Sequence, residues 1–402
     1  MSKQLAPASS AHQTKFSGSN PVWLLGLLLL LLAFRTAWAD GAVKVPMTAA
    51  HWQAEGDVAF LAHEGFPEGI LDVKSGSAVL KGITFRNGTI AFDTEIDPSA
   101  SGIPGIEFHR RNAASAEEFY LRPGPNCPPS DDCVQYAPVT HGVMLWDFYP
   151  EYQASALVRD TGWNHIVLVI SGRRMDVYIN NEVSPSLRVG DLEGDALAGG
   201  ISFQGQALYA NLVVTPNAVR HLSPHPSPDP SAKIPGFIRH WRISSPHTLQ
   251  ANHDVTLADM PSSSDSWTRI EAERGGAINV SRRYGSPVPV PGASIVWLKT
   301  MIEANRDQDR QASIGWLRAV WVFANGRLVF AGRNYYYPPG ARKLPDGRLS
   351  LENGAFLLPL KKGANQIDVA LADEFPQGHS HYGWGLILKL NSSGGIRVIS
   401  SR

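Results

Sequence analysis

Asp93, Glu95 and Asp97 stand at i, i+2 and i+4 in the run Thr89-Ile-Ala-Phe-Asp-Thr-Glu-Ile-Asp97. Successive side chains of an extended strand point to opposite faces, so the three carboxylates share one face. Two carboxylates on one face are the raw material of glycoside hydrolysis, where one serves as acid and the other as base or nucleophile. The competing reading is a solvated strand face with a Lys or Arg on the neighbouring strand. Pro98 follows Asp97 and ends the strand, because proline has no N–H to give the ladder. A second row is Glu107, His109 and Arg111 in Gly105-Ile-Glu-Phe-His-Arg-Arg111. With Tyr120, Arg122, Gln135, Tyr136, His141, Trp146 and Tyr149 it supplies the lining of one groove. Aromatic planes stack on sugar rings, and Arg, Gln and His give directional hydrogen bonds to hydroxyls. That chemistry suits a glycan or polysaccharide, and the ligand-binding residues it selects are His109, Arg111, Tyr120, Arg122, Gln135, Tyr136 and Trp146. The bland reading puts Tyr136 or Trp146 in the core and pairs Arg122 with Glu118 or an aspartate.

The remaining reactive residues point to less. Asp131-Asp132 offers oxygens to Ca²⁺, which takes six to eight of them, but two adjacent aspartates in a Pro-rich loop more often form a surface turn. His379 and His381 lack a visible third ligand, and His221 and His225 sit in a Pro-rich spacer. Tyr335-Tyr-Tyr337 is either a second sugar patch or a packing surface. No G-x-S-x-G elbow and no Gly-rich phosphate loop opening a helix is present. No catalytic residue is assigned, and no metal or other cofactor is expected.

The elements that must position these residues are short strands. In 89–96, Ile90, Phe92, Thr94 and Ile96 face one way, which predicts one buried and one wet face. The 105–111 strand repeats the pattern, with Ile106 and Phe108 inward. Trp163–Ile170 is almost continuously apolar, which predicts a central strand. Leu208–Val214 is expected to close the meander. Strands and turns at this spacing predict an all-β chain of two antiparallel β-sandwich (jelly-roll) domains. The first spans 47–215. Residues 216–236 are a Pro-rich linker that packs no core. The second spans 237–390, with a hairpin at Asn325-Gly326, the strongest short-range hairpin signal, a strand-turn-strand over 356–371 and a closing strand at 383–390. The Ser/Gly-rich tail 391–402 is expected to fray.

Composition bounds the partners. The 402 residues include 36 Lys+Arg and 36 Asp+Glu, a net charge of zero, which argues against nucleic acid, since duplex binding needs a basic footprint. Charged residues are 18% of the chain, below the roughly 25% of ordinary soluble domains. The leader carries Lys3 and Lys15, an apolar run from Val22 to Phe34 with leucine at every position from Leu27 to Leu32, and Ala37-Trp38-Ala39. This is the pattern of an export signal spanning 1–39, predicting a secreted or periplasmic protein. The apolar run spans about 20 Å as a helix, short of the roughly 30 Å hydrocarbon core, so a membrane enters only if the segment stays uncleaved as an anchor. In an exported chain the only two cysteines, Cys127 and Cys133, are expected to form a disulfide, since their spacing matches no metal motif.

The first sandwich resembles the concanavalin A-like (laminin G-like) domains of exported bacterial proteins, through Asn87-Gly-Thr-Ile-Ala-Phe-Asp, Gly105-Ile-Glu-Phe-His, Phe119-Tyr-Leu-Arg-Pro, Val134-Gln-Tyr and Trp163-Asn-His-Ile-Val-Leu-Val-Ile-Ser-Gly. It is more loosely similar to the sandwich of 3-keto-disaccharide hydrolases. The second resembles galactose-binding-like jelly rolls, through Ala319-Val-Trp-Val-Phe-Ala-Asn-Gly-Arg-Leu-Val and Leu360-Lys-Lys-Gly-Ala-Asn-Gln-Ile. The pairing implies glycan handling. Concanavalin-like glucanases carry Glu-x-Asp-x-Glu on one strand. This chain has Asp-x-Glu-x-Asp, which would misplace the acid and nucleophile. The expected function is therefore non-catalytic, lectin-like carbohydrate binding in the cell envelope. The alternatives are a carbohydrate-active hydrolase using Asp93/Glu95 or Glu107, and a structural envelope protein that contacts another protein.

Overall fold

The computed structural model of the chain describes residues 41–96, 103–122, 124, 126–250, 253–262, 264–285, 293–374 and 382–399. The leader 1–39, Asp97, His379 and His381 lie outside them.

The first half is built from β1 (Phe66–Leu80), β2 (Gly88–Ile96), β3 (Gly105–Asn112), β4 (Ser115–Leu121), β5 (Val134–Thr140), β6 (Trp163–Ser171), β7 (Arg174–Ile179), β8 (Gly200–Gln204) and β9 (Ala207–Pro216). These pair antiparallel in the order β7-β6-β2-β9-β1-β8-β3-β4-β5, with shorter strands beside them. The sheet curls until its two ends share one core. Ile90, Phe92, Ile166 and Leu168 from one end pack in the same cluster as Phe119, Leu121, Val134 and Tyr136 from the other. Phe203 bridges them, 5.0 Å from Phe92 and stacked 4.3 Å from Tyr209. In β2 the four residues predicted to face inward are all buried, and β6 lies between β7 and β2, as its apolar run requires. The last strand does not close the meander. β9 inserts between β2 and β1, inside the sheet.

The second half contains β10 (Ala293–Ala304), β11 (Gln308–Trp316), β12 (Arg318–Ala324), β13 (Arg327–Asn334), β14 (Gly354–Leu360), β15 (Gly363–Asp373), β16 (Gly385–Leu390) and β17 (Ile396–Ile399). One sheet runs β10-β15-β12-β13 and a second runs β16-β11-β14. They enclose Val296, Leu298, Ile314, Trp316, Val369 and Trp384. The β12–β13 hairpin turns at Asn325 (φ 48°) and Gly326 (φ 83°), the double positive φ that a type I′ turn demands. The 356–371 region is not a hairpin, because β14 pairs with β11 while β15 crosses to β10 and β12. The tail does not simply fray either: β17 pairs with β10 from Met301↔Ile399 to Ala304↔Ile396. A short helix, α1 (Val280–Tyr284), starts at Asn279, whose side chain accepts from the Arg282 N–H.

Residues 217–236 hold no helix or strand. They are tied down on both sides. The Arg173 and Ser227 amides donate to the Pro224 and Gly190 carbonyls, and Arg274 Nη1 donates to the Ser227 carbonyl at 2.7 Å. From Ala42 onward the chain forms one compact unit. Ala277, Leu317 and Leu349, from the second half, complete the core of the first.

Candidate ligand site at the junction of the halves

The site begins with the register of β4 on β5. Phe119↔Tyr136 and Tyr120↔Gln135 are cross-strand pairs, and alternation sends the first pair into the core and the second to the outer face. β3 runs alongside with Gly105 opposite Tyr120, where an added Cβ would lie 2.9 Å from the Tyr120 Cβ. Glycine is required there to let the tyrosine lie close. Tyr120 Oη donates to Gln135 Oε1 (2.8 Å), Gln135 Nε2 donates to the Trp146 carbonyl (2.7 Å), and Arg122 Nη2 donates to Tyr120 Oη (2.9 Å). The guanidinium of Arg122 also lies 5.5 Å from the Trp146 ring. Four residues singled out from the sequence thus converge in one network.

The second half covers that network. Tyr336 and Tyr382 meet Trp146 edge-on at 4.9 and 5.6 Å. Arg348 brings a second guanidinium to 5.4 Å from the same indole, and its Nη1 donates to Gln153 Oε1. Asp132 sits between the two arginines at 3.7 Å from Arg122 and 3.6 Å from Arg348, outside hydrogen-bond range, and its other oxygen accepts from Ser130. The loop presenting Asp132 is stapled by the Cys127–Cys133 disulfide, with Cα atoms 5.4 Å apart. Behind it, Asp147 accepts from the Gly383 amide at 2.9 Å, and burial raises its carboxyl to about 6. Further out, Arg342 lies 3.9 Å over Tyr336 and 5.5 Å from Tyr337, which is 43% exposed.

Among the described residues, three buried N–H-bearing atoms here find no hydrogen-bond partner, Arg122 Nη1, Arg348 Nε and Arg348 Nη2, although the first and last face Asp132 at ion-pair distance. An unsatisfied buried polar group costs about 1–3 kcal/mol. Cation–π contact with the indole returns roughly 0.5–2 kcal/mol per arginine. Burial and the neighbouring Arg122 charge hold the Arg348 guanidinium below its ordinary value. The arrangement is a largely buried cluster in which two guanidiniums and Asp132 lie against aromatic rings. Arg348, Tyr336 and Tyr382 lie outside the residues selected as ligand-binding from the sequence, and Arg348 sits in a loop without any motif to mark it.

Other expected lining residues are corrected by the structure. His109 is fully buried: Nε2 bonds the Arg86 carbonyl at 2.8 Å, Phe108 and Phe85 flank the ring, and burial lowers it to about 4. Tyr136 points inward and donates to Glu117 Oε2 at 2.6 Å. Arg111 and His141 are exposed, and among the described residues neither bonds to the Trp146 cluster. Tyr149 lies in a separate junction network, donating to Glu273, which also receives Arg282 at 2.6 Å. Arg282 further reaches Asp195 and the Glu193 carbonyl, both at 2.6 Å. The face expected to be wet at Glu107 is sealed. Glu107 takes Arg110 (2.8 Å) and Ser202 (2.6 Å), and lies directly opposite Glu118, which burial and the Glu107 charge raise to about 8. On the β2 face, Asp93 is committed to His165 and Asn211, both at 2.6 Å, while Glu95 lines a separate open groove of about 590 Å³ with Asp72 and Lys74. Among the described residues, no group of three or more His, Cys, Asp or Glu is placed to hold a metal ion.

No protein-family model matches the sequence, and no curated protein matches it. Solved structures with a similar trace include the carbohydrate binding module CBM66 from Bacillus subtilis, at 11% identity and TM-score 0.29, aligned over 43% of this chain and 94% of that one. A β-glucanase from Bacillus licheniformis aligns at 11% identity and TM-score 0.30 over 44% and 99%. The exoplasmic/lumenal domain of VIP36, in a Ca²⁺/Man3GlcNAc-bound form, aligns at 9% and 0.32 over 44% and 87%. At these identities no residue role passes from one chain to another.

Proposed function

We propose that this chain is a carbohydrate-binding protein of the cell envelope and that it binds without cleaving. The observation that carries the reading is the aromatic cluster at Trp146. There, Trp146, Tyr336 and Tyr382 pack with the Arg122 and Arg348 guanidiniums, and Arg342 and the 43% exposed Tyr337 carry the aromatic surface outward to solvent. Sugars are recognised by this combination of flat aromatic surface and fixed donors. The leader is read as an export signal, which places the ligand outside the cytoplasm. Resemblance of the two halves to laminin G-like and galactose-binding-like sandwiches agrees with glycan handling.

Hydrolysis is the second reading, and one observation favours it. Glu107 and Glu118 are cross-strand neighbours, one bonded to Arg110 and the other held protonated, the asymmetry that an acid and nucleophile need. Both are about 95% buried, so no substrate reaches them in this conformation. Incubation of the mature protein with a polysaccharide panel separates the two. Retention in affinity electrophoresis without release of reducing ends, lost in Trp146→Ala and kept in Glu118→Gln, supports binding. Release abolished by Glu118→Gln would establish the hydrolase.

A further inference from the structure

We infer that the outer face of the first half carries a second carbohydrate site, the groove between β1 and β2, and that it takes a neutral sugar. The inference rests on the carbohydrate reading above and adds to it a place and a ligand class. Register builds the groove. Leu208 of β9 lies opposite Asp72 of β1 on one side and Glu95 of β2 on the other, so the three side chains form one row across adjacent strands. Their neighbours Ala207 and Tyr209 are buried in the core, which turns this row outward. With Lys74, the next outward residue of β1, they line an open groove of about 590 Å³. Strand spacing sets the Asp72 and Glu95 backbones about 9.5 Å apart, with the apolar Leu208 as the floor between them.

The polar groups of the groove are uncommitted and open to solvent. Among the described residues, Asp72, Lys74 and Glu95 enter no side-chain hydrogen bond or ion pair; Lys74 is exposed and the two acids are half-buried. The contrast lies two residues away on the same face. Asp93 accepts through both oxygens, from His165 and from Asn211 at 2.6 Å each, as a structural carboxylate does. Glu95 is flanked instead by Trp163, its cross-strand partner on β6, whose ring packs 4.5 Å from that of Phe66.

The chemistry of the groove selects the ligand. A carboxylate accepts from hydroxyls through two oxygens, an ammonium donates to hydroxyl and ring oxygens, and Leu208 offers an apolar surface to the C–H face of a sugar ring. Two acids against one lysine leave the groove net negative, which repels uronic and sulfated sugars. The lysine in turn offsets part of the pull on a cation, and among the described residues the two acids belong to no group placed to hold a metal ion. An uncharged, hydroxyl-rich ring is the class that meets all three polar groups at once.

The test is isothermal titration of the mature full-length chain with short neutral oligosaccharides of glucose, mannose and galactose, beside those of galacturonate and glucosamine. At least one neutral oligosaccharide is expected to fill two sites per chain. Asp72→Asn combined with Glu95→Gln is expected to weaken one of them tenfold or more, and Trp146→Ala the other. A single site lost in the groove variant keeps this inference and removes the Trp146 cluster as a binding surface. A single site lost only in Trp146→Ala, or two sites kept in the groove variant, overturns the groove and leaves carbohydrate binding standing. Tighter binding of the galacturonate or glucosamine oligosaccharide than of every neutral one, lost in the groove variant, overturns the ligand class. Binding of no sugar by the wild type overturns both readings. Should the double variant not fold by circular dichroism, Lys74→Ala, at an exposed position, is titrated in its place with the same tenfold loss at one site expected.

Discussion

Glu117 is expected to make this protein less stable as pH rises. The residue is 1% exposed; Oε2 accepts from Tyr136 Oη at 2.6 Å and the Gly194 amide at 3.2 Å, while Oε1 has no hydrogen-bond partner among the described residues. Burial raises the carboxyl to about 8 from 4.5, against the opposing pull of Tyr136, Arg173 and Gly194. The sign follows from proton counting. Between pH 4.5 and 8 the folded state keeps a proton that the unfolded state has lost, so stability falls with pH. The contribution is fully present below 4.5 and is lost as pH climbs through 8. Over that span, at 1.36 kcal/mol per unit, the ceiling is about 5 kcal/mol. Glu117→Gln replaces the protonated acid with a neutral isostere whose carbonyl still accepts from Tyr136 and Gly194. Urea unfolding at pH 5 is expected to give wild type and variant within about 1 kcal/mol of each other, the usual scale of a conservative change. At pH 8.5 the variant is expected to be more stable by several kcal/mol. Glu118 and Glu193, also raised to about 8 by burial, will keep some slope in the variant. Parallel pH curves for the two proteins, separated by a constant offset, would refute the assignment of a bound proton to Glu117.

Two further outcomes follow from the junction. Opening the staple with Cys127→Ser and Cys133→Ser is expected to lower stability by about 2 kcal/mol, the loop-closure value for so short a ring, which thermal melts read; an unchanged melt would show that the bridge adds nothing to stability. Arg282→Ala strips the partner from Glu273 and Asp195 and is expected to cost about 3 kcal/mol. It should also quicken proteolysis within 217–236, read by limited digestion, and an unchanged digestion pattern would show that Arg282 does not hold the halves together.

Much of the fold was legible because its signals are local. Ile90, Phe92, Thr94 and Ile96 show a period of two, and Asn325-Gly326 has the one backbone preference that fixes a tight hairpin. The site was legible only in part. Tyr120, Gln135 and Arg122 are grouped by the chemistry of their side chains, and the register of β4 on β5 does bring them together, though Tyr120 and Gln135 are fully buried. That chemistry could not tell that Trp146 is covered by Tyr336, Arg348 and Tyr382, far along the chain, or that Glu107 and His109 are sealed within the first half by Ser202, Arg110, Arg86 and Phe85. His109 shows the same limit from another side: its positive φ of 50° takes it off the strand geometry on which the inference of a wet face depended. Ile396–Ile399 was hidden by its Ser/Gly-rich neighbours, and its signal comes from pairing with β10, a distant strand.

The junction explains why Arg348 had no signature. Its value lies in the company that folding gives it. Trp146 alone would be an ordinary half-buried aromatic, and Arg122 alone a surface arginine with Asp132 as its partner. Docking of the second half changes both. Tyr336 and Tyr382 exclude water from the edges of the indole, which strengthens each charge interaction around it, and Arg348 adds a second positive charge that a single aspartate at 3.6–3.7 Å does not satisfy. A buried charge stabilises only when its partners offset its desolvation. Asp132 lies within ion-pair distance of both guanidiniums and the indole faces each of them, so the two arginines are held by shared contacts that neither half supplies alone.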